Sequence, residues 1–190
     1  MNKVIFLDRD GTINYDYGYV YEVDRFQIIP GAIEGMKILQ DMGYRLIVVT
    51  NQSGIARGYY SEQSFMKINC WMLKELERFG IKIAKVYYCP HLPKAENKQY
   101  AIECNCRKPK IGLFQKAIRE FNIDTSNSYA IGDNIRDLSI CKSTDVKGIL
   151  LANSDQVRQQ ENELVQSYEN IQICKNLEDA ARYIQKKNVK

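Results

Sequence analysis

Short, uninterrupted apolar runs alternate along this chain with segments whose apolar residues recur at helical spacing. The runs from Val4 to Leu7 and from Leu46 to Val49 have no polar residue, whereas the helical spacing is clear from Phe65 to Phe79. Strands that are apolar on both faces are typical of a parallel sheet with helices on both sides. The pattern therefore predicts an α/β fold, a Rossmann-like doubly wound parallel sheet, as one domain over residues 1–190.

Helix start and stop signals complete this outline. Pro30 and Gly43 bracket one helix, Ser61 and Gly80 bracket a longer one, and Asn176 begins the last. Further strands are predicted over residues 86–88, 129–131 and 146–151, with a helix over residues 114–121 and a closing strand and helix in the last forty residues or so.

Two segments do not fit the alternation of strands and helices. They are residues 11–29 and 89–110, and each follows a strand end at the edge of the sheet where ligands bind in open α/β folds. No large insertion follows residues 11–29 or lies between the second and third predicted strands, so there is no room for a sizeable cap domain. We therefore expect a fairly open site, partly covered by residues 14–25 and by the 89–110 loop.

Charge and length exclude several classes of protein. Among 190 residues, Lys and Arg exceed Asp and Glu by four, which suits a small anionic substrate but is too weak to indicate nucleic acid. No apolar stretch reaches the roughly 18 residues of a membrane span, and the N-terminal apolar run is too short for a signal peptide. We expect a cytoplasmic protein without a membrane partner, and a monomer on size alone.

Two carboxylates end the first predicted strand. Asp8 and Asp10 are spaced by two, so their side chains leave the strand in the same direction, and Gly11 allows a sharp turn after them. Like charges this close repel unless a cation lies between them or one is protonated. Both conditions suit a Mg²⁺-dependent nucleophile paired with a general acid. The alternative is an ordinary Asp-Gly turn with solvated carboxylates.

Polar residues also follow the other predicted strands. Thr50 to Gly54 offers hydroxyl, amide and backbone N–H groups that can bind phosphate oxygens. Arg107 and Lys108 bring cations to the same edge. Asp133 adds a hard oxygen ligand, although alone it would be read as a helix cap, and Asp137 is placed to orient a water or a lysine.

The chain has six cysteines and one histidine, and four of these residues form two close pairs. Cys89 and His91 form the first pair, and twelve residues separate them from the second pair, Cys104 and Cys106. Three sulfurs and one imidazole match a closed, structural tetrahedral Zn²⁺ site, which would fix the loop that carries Arg107. The alternative is a set of scattered buried thiols, which is how we interpret the remaining cysteines, Cys70, Cys141 and Cys174.

This ordered set of strand-end motifs resembles the haloacid dehalogenase superfamily of aspartyl phosphatases. The resemblance is closer to one branch, the heptose 1,7-bisphosphate phosphatases, and covers roughly residues 3–151. The stretches that carry it are residues 8–14, 18–20, 50–58, 89–91 and 104–109. It implies removal of the C7 phosphate of D-glycero-D-manno-heptose 1,7-bisphosphate, in the biosynthesis of nucleotide-activated heptose for lipopolysaccharide core or another surface glycan.

The same resemblance implies roles for individual residues. Asp8 would be the nucleophile and Asp10 the general acid and base, while Thr50 and Lys108 stabilise the transferring phosphoryl group. Mg²⁺ would be held by the Asp8 carboxylate, the Asp10 carbonyl and Asp133. The remaining implied substrate contacts are Asp16, Tyr17, Gly18, Tyr19, Asn51, Gln52, Ser53, Arg107 and Asn134.

Two other functions stay open at this stage. A related zinc-containing phosphatase acting on histidinol phosphate shares much of the motif set, and a zinc-knuckle nucleic-acid module would use the cysteine cluster with the basic residues 107–110. The knuckle leaves Asp8, Asp10 and Asp133 unexplained. Asn134 departs from the branch, which often has Lys there, and this leaves the preferred C1 anomer undecided.

Overall fold

The computed structural model describes residues 1–152 and 171–188, which form a six-stranded sheet with helices on both faces. All five strand pairings are parallel, in the order β3-β2-β1-β4-β5-β6, which confirms the predicted doubly wound sheet. The strands are β1 (Val4–Leu7), β2 (Arg45–Asn51), β3 (Ile83–Cys89), β4 (Tyr129–Gly132), β5 (Lys147–Leu151) and β6 (Ile171–Cys174). The helices are α1 (Ala32–Asp41), α2 (Glu62–Arg78), α3 (Gly112–Phe121) and α4 (Leu177–Asn188).

The unbroken apolar runs place β1 at the centre of the sheet, with all four residues buried. Ile5 and Leu7 belong to the core on the face covered by α1, α2 and α4, whereas Val4 and Phe6 belong to the core under α3. This alternation is the reason that the run is apolar at every position, because a central strand buries both of its faces.

The helix signals in the sequence are largely confirmed. The Ser61 hydroxyl accepts a hydrogen bond from the Ser64 amide at the start of α2, and the Asn176 side chain accepts one from Asp179 at the start of α4. The first helix begins later than predicted, at Ala32, because Gly31 takes a left-handed conformation (φ 84°) at the N-cap.

Strand β3 is longer than the predicted run over residues 86–88. It runs from Ile83 to Cys89 because backbone pairing with β2 extends beyond the apolar run at both ends. Between β4 and β5 the short predicted helix is a 3-10 helix, Ile135–Lys142. Residues 90–111 contain turns but no helix or strand, as the sequence indicated.

The carboxyl ends of the strands meet at one edge of the sheet. Asp8 follows β1, Thr50 and Asn51 end β2, Cys89 ends β3 and Asp133 follows β4. Parallel pairing is what brings residues so distant in sequence to one edge. Within the described ranges 1–152 and 171–188, no helix is both long and apolar enough to cross a membrane.

Candidate active site

A buried chain of charges lies at the centre of this edge. The Lys108 ammonium Nζ lies 2.9 Å from Asp8 Oδ1 and 2.7 Å from Asp137 Oδ1, and it donates to the Val49 carbonyl at 2.6 Å. All three charged side chains are almost fully buried. One lysine therefore joins the end of β1 to the helix after β4, and its charge partly offsets two carboxylates that have little access to water.

The acidic groups outnumber the cation that faces them. Burial raises the pKa of Asp8 to about 6, with the Asp137 carboxylate adding to the rise and Lys108 opposing it. Burial also raises the pKa of Asp133 to about 8, helped by Asp8 and Asp137. For Lys108, burial lowers the pKa but the carboxylates of Asp137 and Asp8 raise it by more. The site thus carries an unbalanced negative charge that a bound cation would relieve.

The donor set fits a hard divalent cation. Carboxylate oxygens of Asp8, Asp133 and Asp137 all lie within 4.8 Å of one another. Gly11 makes this approach possible, because a Cβ atom there would overlap the Asp133 carboxylate, and its φ of 82° is in the left-handed region. Oxygen ligands in a small, negatively charged site are those that Mg²⁺ prefers. Both oxygens of Asp137 are engaged, Oδ1 by Lys108 and Oδ2 by the Asn134 backbone amide, whereas Lys108 contacts only one oxygen of Asp8. Asp8 and Asp133 are therefore the carboxylates that can face an ion.

The Asp10 carboxylate is not part of this cluster and is surrounded by donors. Arg9 donates from Nε and from a terminal nitrogen at 2.8–3.2 Å, Asn14 Nδ2 donates at 3.0 Å and Gln52 Nε2 donates at 3.0 Å. Its side chain still lines the same cavity as Asp8. Asp10 is therefore held in one orientation beside the candidate nucleophile, as a positioned acid–base group requires.

Arg9 is a fully buried arginine that the sequence did not single out. Its guanidinium group also donates to the Val20 carbonyl at 2.8 Å and lies near the rings of Phe26 and Phe65, 6.0 and 5.6 Å from their centroids. A planar guanidinium is suited both to a carboxylate and to flanking aromatic rings. Arg9 thereby joins Asp10 to the segment after β1.

Residues that follow β2 form the next part of the wall. The Thr50 hydroxyl accepts from Gln52 Nε2 at 2.9 Å, and the Gln52 carbonyl oxygen accepts from the Tyr60 hydroxyl at 2.6 Å. The Asn51 side chain pairs with both backbone groups of Lys108. The predicted phosphate-binding stretch thus supports neighbouring residues of the site as well as lining it.

The site opens into a cavity of about 400 Å³. Of the residues predicted from the sequence, the structure brings twelve to its wall: Asp8, Asp10, Asp16, Gly18, Tyr19, Thr50, Asn51, Gln52, Ser53, Arg107, Lys108 and Asp133. Arg57, Tyr60 and Arg136 also line the cavity. Four cations and four carboxylates therefore face it, and the cations can bind an anionic ligand once a bound metal ion offsets the carboxylates.

Two predicted substrate contacts do not line this cavity. The Tyr17 hydroxyl donates to Gln27 at 2.7 Å on the exposed side of the flap over residues 14–25. The Asn134 side chain caps the 3-10 helix, accepting from the Arg136 amide at 3.1 Å. Asn134 is committed to this cap because Asp137, three residues on, completes a capping box with it.

The cysteines and the histidine of the 89–110 loop lie together beside the cavity. Cys106 Sγ is 3.1 Å from the Sγ atoms of Cys89 and Cys104 and 3.2 Å from His91 Nδ1. All four ligand atoms are within 4.8 Å of one another, and all six cysteines of the chain are free thiols. Three sulfurs and one nitrogen in this arrangement fit a closed tetrahedral Zn²⁺ site.

The cysteine cluster is joined to the cavity through Arg107. One of its terminal nitrogens donates to the His91 carbonyl at 3.4 Å, and Lys108 follows directly in the chain. The Gln52 backbone N–H donates to the Cys89 backbone carbonyl at 2.8 Å. Holding this cluster together therefore fixes residues on two sides of the candidate site.

Sequence analysis missed Arg9, Arg57, Tyr60 and Arg136. Only Arg9 carried a recognisable signal, because a charged residue between two acids at the end of a buried strand must be paired to be buried. Arg57 and Tyr60 are close in sequence to the predicted phosphate-binding stretch. Nothing in the sequence distinguishes them from other loop residues, because only the turn formed after Gly54 brings them to the cavity wall.

Comparison with known proteins agrees with this arrangement. The family model described as haloacid dehalogenase-like hydrolase matches residues 7–145. The chain belongs to the haloacid dehalogenase-like hydrolases. Within this hydrolase, the matched range contains every residue described above for the carboxylate site, the cavity wall and the cysteine cluster.

Relatives of this hydrolase have more specific names. The chain is 49% identical over 153 residues (80% of this chain, 84% of the relative) to the D-glycero-beta-D-manno-heptose-1,7-bisphosphate 7-phosphatase of Haemophilus ducreyi. It is 40% identical over 174 residues (92% and 94%) to the D-glycero-alpha-D-manno-heptose-1,7-bisphosphate 7-phosphatase of Campylobacter jejuni. Both forms of the sugar are thus represented among its relatives.

A solved structure has the same architecture over nearly the whole chain. It is the D,D-heptose 1,7-bisphosphate phosphatase from B. bronchiseptica in complex with magnesium and phosphate, with a TM-score of 0.80 and 27% identity. The match covers 97% of this chain and 99% of the other. The expectation of a phosphatase fold of this superfamily is therefore confirmed.

Proposed function

We propose that this hydrolase removes the C7 phosphate of D-glycero-D-manno-heptose 1,7-bisphosphate through an aspartyl-phosphate on Asp8. The observation that carries the proposal is the position of Asp8: it is buried at the cavity, 2.9 Å from Lys108, with Asp10 on the same wall. A carboxylate beside an ammonium group can attack a phosphoryl group whose charge the lysine offsets. The names of the relatives support the sugar bisphosphate as substrate.

The carboxylate cluster would hold Mg²⁺ through the Asp8 and Asp133 side chains and the Asp10 carbonyl. When bound, Mg²⁺ supplies positive charge that offsets the charge on the transferring phosphoryl oxygens. The cysteine cluster of Cys89, His91, Cys104 and Cys106 would hold Zn²⁺ with no open position, so its role would be structural.

The reaction uses two groups of this chain in turn. An Asp8 oxygen attacks phosphorus as the bond from phosphorus to the C7 oxygen breaks, and Asp10 gives its proton to that oxygen. Water then attacks phosphorus, Asp10 takes up the proton, and inorganic phosphate leaves as Asp8 is restored. Lys108 and Thr50 face the phosphoryl oxygens during both steps.

The second phosphate of the substrate would be bound by the arginines of the cavity wall. Arg57, Arg107 and Arg136 line it and are at least partly exposed, unlike Lys108. Arginine is suited to this task because its planar fork can pair with two phosphate oxygens. Arg136 provides a cation near the position where the related branch often has Lys and this chain has Asn134.

Steady-state turnover of four compounds tests the proposal. With Mg²⁺ present, we expect the β anomer of heptose 1,7-bisphosphate to give the highest kcat/KM, ahead of the α anomer, because relatives named for the β form are 44–51% identical and the relative named for the α form is 40% identical. Heptose 7-phosphate, which lacks the second phosphate, and histidinol phosphate should be poorer substrates. Faster turnover of histidinol phosphate would contradict the proposal.

A further inference from the structure

Tyr60 is held against the wall of the active-site cavity although the predicted chemistry gives it no role. It is 7% exposed, and its ring stacks on Tyr21 with centroids 4.9 Å apart and planes 22° apart. A Cβ atom at residue 54 would overlap the Tyr60 ring, so Gly54 provides the space that the ring occupies. The ring is therefore packed on two sides.

That hydroxyl reaches Asp10 through one side chain. The Tyr60 hydroxyl donates to Gln52 Oε1 at 2.6 Å, while Gln52 Nε2 donates to Asp10 Oδ2 at 3.0 Å and to the Thr50 hydroxyl at 2.9 Å. Burial raises the pKa of Tyr60 above its usual value, so the hydroxyl keeps its proton at neutral pH. The Gln52 side-chain oxygen thus accepts a hydrogen bond from Tyr60, while its NH2 group donates to Asp10 and Thr50.

We propose that Tyr60 is a positioning residue that keeps the Gln52 amide turned with its N–H group toward Asp10. Gln52 is buried, so its carbonyl oxygen needs a donor, and Tyr60 provides it. Without the hydroxyl, that oxygen has to find another donor, and the rotation this requires takes Nε2 away from Asp10. The Asp10 carboxylate then loses the hydrogen bond from Gln52 Nε2 and is held by Arg9 and Asn14 alone.

This inference rests on the proposed role of Asp10 as the acid that protonates the departing sugar oxygen. A sugar alkoxide is a poor leaving group and needs that proton, whereas p-nitrophenolate leaves without one. A fault in the orientation of Asp10 should therefore slow the first step for the sugar phosphate and spare it for p-nitrophenyl phosphate. A general distortion of the site would slow both.

The experiment measures the first turnover with enzyme in excess, comparing Tyr60→Phe with Tyr21→Phe. Tyr21→Phe is the matched control because it removes a hydroxyl from the ring that stacks on Tyr60. For Tyr60→Phe we expect about tenfold slower release of heptose 1-phosphate from the β bisphosphate, a fraction of the roughly 10²-fold or greater effect of full acid–base catalysis. Release of p-nitrophenolate should change by less than about twofold. Tyr21→Phe should match the unmodified protein with both substrates.

Two further variants make the outcome decisive. In a Gln52→Leu background, Tyr60→Phe should cause no additional loss, because the link to Asp10 is already broken. Asp10→Asn tests the proposed function separately: unchanged sugar release in that variant would overturn the role of Asp10. If Asp10→Asn is slow but Tyr60→Phe behaves like Tyr21→Phe, or slows both substrates equally, the role of Tyr60 is wrong and the proposed function stands.

Discussion

The Asn51 side chain pairs with both backbone groups of Lys108. Its amide nitrogen donates to the Lys108 carbonyl at 3.1 Å, and its carbonyl oxygen accepts from the Lys108 amide at 3.0 Å. The two residues are 57 positions apart in the chain, at the end of β2 and at the end of the cysteine-rich loop. This reciprocal pair fixes the backbone from which Lys108 reaches Asp8.

Removal of this pair should reduce catalysis more than stability. In Asn51→Ala we expect kcat to fall about ten- to a hundredfold, since a small displacement of a catalytic group has effects of that size. Asn2→Ala is the matched control, because Asn2 also donates to a backbone carbonyl, that of Phe121, at 2.6 Å and away from the cavity. Both variants should lower the free energy of unfolding by about 1 kcal/mol. Equal kcat values in the two variants would contradict the role of Asn51.

The buried Arg9 should be a major determinant of stability. Arg9→Met keeps the length of the side chain but leaves the Asp10 carboxylate without its strongest partner. We expect the free energy of unfolding, measured by urea denaturation, to fall by about 3–5 kcal/mol, as when one partner of a buried ion pair is removed. Arg78→Met is the control: this exposed arginine pairs with Glu75 on α2, and its loss should cost less than about 1 kcal/mol. Similar values for both variants would refute the account of Arg9.

The cysteine cluster should bind one Zn²⁺ per chain. Elemental analysis of the purified protein should find zinc, and Cys104→Ser should lose most of it and lower the activity by loosening the loop that carries Arg107 and Lys108. Cys70 was expected to be buried but is exposed on α2, outside the cluster, so Cys70→Ser should retain both zinc and activity. Mg²⁺ should still be required in every variant. Zinc retained at the same stoichiometry by Cys104→Ser would show that the cluster is not the site.

The carboxylate site should bind the catalytic metal ion separately from zinc. After brief treatment with a chelator that leaves zinc in place, activity should disappear and return on addition of Mg²⁺. Asp133→Asn should raise the Mg²⁺ concentration needed for half-maximal activity by about tenfold or more, because a charged oxygen ligand is lost. Asp145→Asn changes an exposed carboxylate and should behave like the unmodified protein. An unchanged Mg²⁺ dependence in Asp133→Asn would remove it from the ligand set.

The sequence predicted the features that depend on local pattern. Apolar runs such as Val4 to Leu7 predicted a central strand buried on both faces, and the carboxylates that follow it were expected at the ligand edge because parallel strands end together. The pairs of ligands at Cys89 and Cys104 were recognisable as a candidate zinc set, although spacing left scattered thiols as an alternative, and the structure brings the four residues together. In each case the pattern that allows the prediction lies in short stretches of the sequence.

What the sequence could not predict is which hydrogen-bond partner a polar side chain takes once the chain has folded. Tyr60 is one of thirteen tyrosines, and only the turn that begins at Gly54 brings it to Gln52. The capping box that Asn134 forms with Asp137 was likewise not foreseen, and the substrate contact at Asn134 stays a prediction. Which partner such a side chain binds depends on the donors and acceptors that surround it in the folded protein. The spacing of residues in the sequence does not give this information.

The phosphoryl group is expected to pass through the Asp8 carboxylate. We would mix the enzyme with heptose 1,7-bisphosphate and Mg²⁺, quench with acid within one turnover, reduce with borohydride and analyse the peptides by mass spectrometry. An acyl phosphate on Asp8 is reduced to homoserine, so the account predicts homoserine at position 8, and none in Asp8→Asn. Homoserine at another aspartate, or turnover by Asp8→Asn without any trapped intermediate, would contradict it.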